Sequence, residues 1–291
     1  MSLKKYSAYI KVIETGSLTK AAEILNYTQP NISQMIGSLE EEYGFSLLIR
    51  QKNGVRPTKN GLAVLPAMRE LQRGYEKLFE TVHQINGLET GKIRIGAYTS
   101  IATNWLPKIV EGFKHLHPGI EIQIYEGNVS ELNDWLEKDQ IDFGIGTSHN
   151  NKWDFQPLAK EPILVIMSPQ HKLAKLDLIS LKAIESSEFI LPYSDSHFEV
   201  HNIFKEEHIS PKIAYQVRGD ETIISMVKNN LGISLLPKLL LSRCTEDIVI
   251  KPLEMNVSRE LGIIMNIRKH AQTPSVNKMI HFINEWVKKD N

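Results

Sequence analysis

The chain has 291 residues, 42% of them hydrophobic and 23% charged, so it can bury more than one core and is too apolar for a disordered polymer. Its 34 Lys+Arg balance 34 Asp+Glu, which excludes a uniformly basic wrapper of nucleic acid and makes any such contact local. The lone Cys244 forms no disulfide within the chain and no zinc cluster, no signal-peptide core follows Met1, and no apolar run reaches membrane-spanning length; the expectation is a cytoplasmic protein with no membrane partner.

Charge is unevenly placed: residues 1–60 hold eight Lys+Arg against five acids, leaving the remainder net acidic. Leu3, Tyr6, Ile10 and Ile13 recur at helical spacing, and Ala21, Ala22 and Leu25 give a second, shorter apolar face. Thr28 is expected to cap a third helix, with Pro30 in its first turn, Ile32, Ile36 and Leu39 on its buried stripe and Gly44 at its end. Two short helices joined through Asn26-Tyr27-Thr28 have helix-turn-helix spacing. Away from the Ile32 stripe lie Pro30, Ser33, Gln34, Gly37 and Ser38, with Gln29 at the N-terminal end. Small and amide side chains suit base-edge reading, since Gln pairs bidentately with adenine; a plain solvated face is the alternative.

Residues 46–59 read as two short strands around Asn53-Gly54, with Arg50, Lys52 and Arg56 beside the turn. Such a basic hairpin would supply phosphate contacts and leave the uncharged helix to specify sequence. Glu40-Glu41-Glu42 is expected to be solvated surface. From a cap at Thr58, Val64, Met68, Leu71, Tyr75, Leu78, Val82 and Ile85 alternate spacings of four and three, a coiled-coil seam that also suits a helix packed on its own domain. Pro66 should kink its first turns, and Gly87 and Gly91 bracket a hinge.

Beyond Gly91 the pattern becomes strand–helix–strand–helix–strand: strands at Ile93 and Ile95, at Ile120, Ile122 and Ile124, and at 141–146. A second set follows at 163–167, 189–191, 213–217 and 233–236. The expectation is two α/β lobes on parallel strands. Ligands in such sheets bind beyond the strands' carboxyl ends, where Thr99, Ser100, Thr103, Asn128, Thr147, Ser148, Tyr193, Ser194, Asp195 and Ser196 stand. They suit a carboxylate or similar anion, or are caps alone. No nucleotide-binding glycine motif follows a strand. His197 and His201 have metal-ligand spacing without a third ligand, and Cys244 beside Arg243 is more simply a small buried hydrophobe than a reactive thiol. No catalytic set or metal site results, which weighs against an enzyme; the basic segment weighs against a pure solute-binding protein.

Residues 16–25 (Gly-Ser-Leu-Thr-Lys-Ala-Ala-Glu-Ile-Leu), Thr28-Gln29-Pro30, Ser33, Ile36, Leu39-Glu40, Gly44 and Arg50 resemble the LysR-type transcriptional regulators. The likeness continues through Pro57-Thr58-Lys59-Asn60-Gly61, where the family usually has Leu-Thr-x-Ala-Gly, then Arg94-Ile95-Gly96, Leu106-Pro107, Phe113, Pro118, Glu126-Gly127 and residues 232–237. It spans nearly the whole chain.

The resemblance implies an α/β protein with a helix-rich start. A winged helix-turn-helix DNA-binding domain would occupy 1–58, a linker and dimerisation helix 59–88, and a two-lobed effector-binding domain like a periplasmic binding protein 89–291. Lobe I would cover about 92–161 and 268–291, and lobe II about 162–267, with the last helix, capped by Thr273-Pro274, rejoining lobe I through Val276, Ile280, Ile283 and Val287. By this likeness Gln29, Pro30, Ser33 and Gln34 face bases while Thr28, Arg50 and Lys52 hold the backbone; Gln34 and Gly37 stand where many members carry Arg. The implied partners are double-stranded promoter DNA, a small-molecule effector held between the lobes by the strand-end residues named above, further copies of the chain as dimer and tetramer, and RNA polymerase. No cofactor is implied.

Overall fold

The computed structural model describes residues 3–51, 54–86, 89–147, 152–193, 197–242, 247–266 and 273–290. Two compact units divide the chain: Met1–Gly91 with His270–Ser275, and Lys92–Lys269 with Val276–Asn291.

In the first unit, α1 (Leu3–Thr15), α2 (Leu18–Leu25) and α3 (Gln29–Tyr43) pack around Tyr6, Tyr9, Val12, Ile32 and Leu39. Ser17 accepts from the Lys20 amide at the start of α2, Asn26 ends it in the left-handed region at φ 57°, and Thr28 accepts from the Asn31 amide to begin α3. The turn is therefore fixed by local hydrogen bonds as well as by the core. Gly44 ends α3 at φ 75°, where a side chain would be strained. β1 (Leu48–Gln51) and β2 (Gly54–Pro57) pair antiparallel with Leu48 opposite Pro57 and Gln51 opposite Gly54. Lys52 and Asn53 lie outside the described residues. Glu40 departs from the solvated-surface expectation: it is half-buried, and its Oε1 accepts from the Leu47 and Leu48 amides at 2.6 and 3.1 Å, anchoring the hairpin, while Glu41 and Glu42 are exposed.

Thr58 caps α4 (Lys59–Ile85), which runs on through Pro66. Its apolar seam divides. Met68 is buried and Val64 packs against the N-terminal core, whereas Leu71, Tyr75, Leu78, Val82 and Ile85, joined by Phe79, are 44–80% exposed.

The second unit contains β3 (Gly91–Ala97), α5 (Thr99–Asn104), α6 (Leu106–Leu116), β4 (Ile120–Glu126), α7 (Val129–Glu137), β5 (Phe143–Thr147), β6 (Asp154–Met167), α8 (Leu181–Glu185), β7 (Glu188–Pro192), α9 (Phe198–Glu206), β8 (Lys212–Val217), α10 (Asp220–Lys228), β9 (Ser234–Pro237), α11 (Lys238–Leu241), β10 (Val249–Lys251), β11 (Ser258–Met265) and α12 (Pro274–Asp290). The all-parallel expectation needs correcting. β3 pairs parallel with β5, and β7 with β8, but β6, β9, β10 and β11 join antiparallel in the order β10-β6-β11-β5-β3-β4, with β9 also on β6. The run at 163–167 is only the far end of β6. Its first part carries Pro157, Pro162 and charged residues and shows no period-two apolar pattern; the ladder to β11 holds it in strand conformation.

The return to the first lobe also comes before residue 268. Residues 261–264 of β11 already pair with β5, and Leu261 and Ile263 are buried in one core with Ile93, Ile95, Phe143 and Ile145. Val276, Met279, Ile283 and Val287 of α12 enter that core, with Ile280 half-buried beside it. The other lobe is built on separate clusters centred on Val165, Phe189 and Leu235, and on Ile166, Ile223 and Leu236. β6 and β11 thus cross between the lobes.

Candidate functional site

On the first unit, Thr28, Gln29, Pro30 and Gln34 are exposed and Ser33 is half-buried at the outer face of α3. Arg50 reaches from the hairpin and donates from Nη2 to Ser33 Oγ at 2.9 Å, and Lys5 Nζ donates to Ser38 Oγ at 2.6 Å. The hairpin is held against the α1–α2 turn by the Val55 amide, which donates to Gly16 O. A polar helix face thus sits beside the exposed cations Arg50 and Arg56. Arg50 and Ser33, expected to act separately on phosphate and base, are thus bonded to each other.

On the second unit, a cavity of about 450 Å³ opens beyond the carboxyl ends of β3 and β4. Thr99, Ser100, Glu126 and Asn128 form one wall and Arg218, Asp220 and Glu221 the other, with Arg259 between them. Thr99 is exposed, whereas Ser100 is only 3% exposed. Asn128 caps α7 in a reciprocal box with Glu131, so it acts as cap and wall at once. Thr103 does not line the cavity; its hydroxyl donates to Thr99 O within α5. Tyr193 is outside it too, with the Arg218 guanidinium 5.4 Å from its ring centroid. Ser148, Ser194, Asp195 and Ser196 lie outside the described residues, as do Arg243 and Cys244.

The sequence reading missed the residue that organises this region. Arg259 is 4% exposed; its Nε donates to Glu161 Oε2 at 2.7 Å, its Nη2 donates to Ser100 Oγ at 2.9 Å, and its Nη1 lies 4.0 Å from Glu199 Oε1. The other Glu161 oxygen accepts from the Leu239 amide at 2.7 Å. The signal was present: Arg259 occupies the inward phase of β11 with Leu261 and Ile263, and a charge on that phase requires a buried counter-charge. Burial pushes the Glu199 carboxyl above its usual range, opposed by Arg259. Burial likewise raises the Tyr98 hydroxyl, which lies 3.3 Å from Thr147 Oγ1. Thr147, expected beside Thr99 and Asn128, faces a second cavity behind Arg259.

His197 and His201 meet separate protein partners. His197 Nε2 meets Asp220 Oδ1 at 2.6 Å across the N-termini of α9 and α10, and His201 Nε2 meets Pro192 O at 2.8 Å. Among the described residues no group of three or more His, Cys, Asp or Glu could hold a metal, and no helix is long and apolar enough to cross a membrane.

A helix-turn-helix with cations at its wing, in one chain with a ligand-sized cavity between α/β lobes, defines a DNA-binding regulator with a ligand-binding domain. Residues 3–62 match the bacterial regulatory helix-turn-helix family of lysR type, and residues 86–288 match the LysR substrate binding domain. The chain belongs to the LysR family of transcriptional regulators. It is 30% identical over 274 residues to the HTH-type regulator YvbU of Bacillus subtilis, covering 93% of this chain and 94% of that one. A full-length single-residue variant of OxyR from Pseudomonas aeruginosa shares the fold with a TM-score of 0.79 at 21% identity, covering 99% and 95% of the two chains. The effector binding domain of QuiR, in complex with shikimate, aligns with 69% of this chain and 99% of its own at a TM-score of 0.64 and 24% identity.

Proposed function

We propose that the chain works in the cytoplasm as a dimer on promoter DNA, with Gln29, Pro30, Ser33 and Gln34 turned to base edges and Thr28, Arg50 and Lys52 to the backbone, and that a small carboxylate effector in the cavity at Thr99, Ser100 and Asn128 alters promoter activity. The domain division in this reading is DNA binding over 1–58, a dimerising linker over 59–88 and effector binding over 89–291. Self-association is supported by the apolar side chains from Leu71 to Ile85 that α4 leaves uncovered, an arrangement a second α4 would bury. The anionic class is supported by Arg218 in the wall, by Thr99 and Ser100 at the β3 end, and by the likeness to QuiR, whose domain binds shikimate. Glu126 and Glu221 at the mouth favour a ligand with donors of its own, such as a hydroxy acid.

The observation that carries the reading is Arg259: one guanidinium bonds Ser100 of one lobe, Glu161 on a crossing strand and, at longer range, Glu199 of the other lobe. A ligand that competes for Ser100 acts on the group joining the lobes. It shifts their arrangement only by as much as it binds one arrangement better than the other. The test is retention of the upstream DNA of its own gene against salt, with and without hydroxy acids. Retention should fall steeply with salt, and Arg50→Ala should lower the slope of log affinity against log salt by about one. Thr99→Leu should abolish the ligand response and spare DNA binding. Salt-insensitive retention, or joint loss of both functions in Thr99→Leu, would overturn the reading.

A further inference from the structure

Behind Arg259 the second cavity, also of about 450 Å³, lies between α9 and the crossing strands β6 and β11. Its volume falls in the range of small-molecule sites. Its chemistry differs from that of the first cavity: acidic residues line it from two elements, Glu199 and Glu206 on α9 and Glu260 on β11, and among the described residues the only cation in the lining is Arg259, already bonded at 2.7 Å to Glu161. Lys160 faces Glu260 across the ladder but does not line the space. Phe155 and Phe198 supply aromatic surface, with Asn202 and Thr147 as neutral polar groups.

We propose that this cavity is a second ligand site, for a small organic cation with an apolar arm, seated with its ammonium group toward Glu199 and its arm between Phe155 and Phe198. Nothing in the reading of the first cavity requires it. Glu199 is the deepest of the acids, its side chain 10% exposed, with a hydroxyl donor in Thr147 at 3.3 Å and a guanidinium at 4.0 Å. Burial leaves its carboxyl with a raised pKa, the sign of a counter-charge too weak to offset desolvation. An ammonium group would complete that counter-charge through a charge-assisted hydrogen bond, and the negative faces of the two rings attract the same cation. An anion would meet a lining with three acidic residues and is disfavoured.

The test is calorimetric titration of the full-length protein with benzylammonium, benzyl alcohol and benzoate as isosteric probes, in the absence of DNA. Benzylammonium should bind at millimolar concentration or tighter, benzyl alcohol at least about tenfold more weakly, and benzoate should give no heat. Glu199→Gln should weaken benzylammonium binding by about tenfold or more. Glu206→Gln and Glu260→Gln, both at exposed positions, should each weaken it by a smaller factor with the fold intact, so the inference is tested even if the buried variant fails to fold. Absence of heat from benzylammonium, equal binding of amine and alcohol, or affinity unchanged in all three variants would overturn the proposal. Because the readout is direct binding of a cation, its failure leaves the carboxylate effector reading standing, and failure of that reading leaves this one standing.

Discussion

Replacing Arg259 by Met keeps most of the side-chain volume and removes the guanidinium, and the structure sets the size of the effect. Glu161 is 4% exposed, and one of its oxygens depends on Arg259 while the other keeps the Leu239 amide. Removing one partner of a buried pair leaves the other charge uncompensated and costs about 3–5 kcal/mol. For a unit of roughly 200 residues, at about 2–4 °C per kcal/mol, the unfolding midpoint should fall by roughly 6–20 °C. Scanning calorimetry of the intact chain would follow it in the transition of the effector-binding unit. Adding Glu161→Gln should recover more than half of the loss, because the stranded charge disappears while the amide oxygen can still accept from Leu239. A midpoint within about 2 °C of wild type for Arg259→Met, less than 1 kcal/mol, would refute the argument, since the pair would then not be an essential part of the buried network. A double variant no better than the single one would show that lost packing, and not a stranded charge, is responsible.

Gly61→Ala should destabilise the DNA-binding unit by about 1–3 kcal/mol in urea unfolding, because a Cβ there would lie 2.4 Å from both Leu47 O and the Tyr9 hydroxyl. Leu78→Lys, at a position 61% exposed, should convert dimers to monomers in light scattering without loss of helix signal; an unchanged mass would place the self-contact elsewhere. The Glu199 pKa is raised by burial, so between the unfolded and folded values the folded state binds more protons than the unfolded chain, and its contribution to stability is fully present below the unfolded pKa and is lost as pH rises through the folded value. Glu199→Gln should therefore flatten the fall in thermal midpoint above pH 4.5, and a profile parallel to wild type would contradict that assignment. Gln34→Ala should relax operator choice by about 1–3 kcal/mol in competition binding if Gln34 reads a base.

What the sequence by itself determined were features written in neighbouring residues. The caps at Thr28 and Thr58, the left-handed stop at Gly44, the periodic stripe of Ile32, Ile36 and Leu39, and the paired hairpin strands all follow from local hydrogen bonding and helical or alternating spacing, and each is present. The family motifs were legible for the same reason, since Gly61 is required by a close approach within one small unit. What only the tertiary structure decided were pairings between distant positions. The strand character of residues 154–162 comes from its ladder with β11, not from its composition, and the lobe boundary comes from which core Leu261 joins. The effector region depends most on such pairings. Arg259 lies 159 positions from Ser100 and 98 from Glu161, and no local spacing encodes their meeting. The α4 seam shows the division within one element: its period is fixed by sequence, but whether its own domain covers Met68 or leaves Leu78 for another chain depends on where the rest of the fold ends.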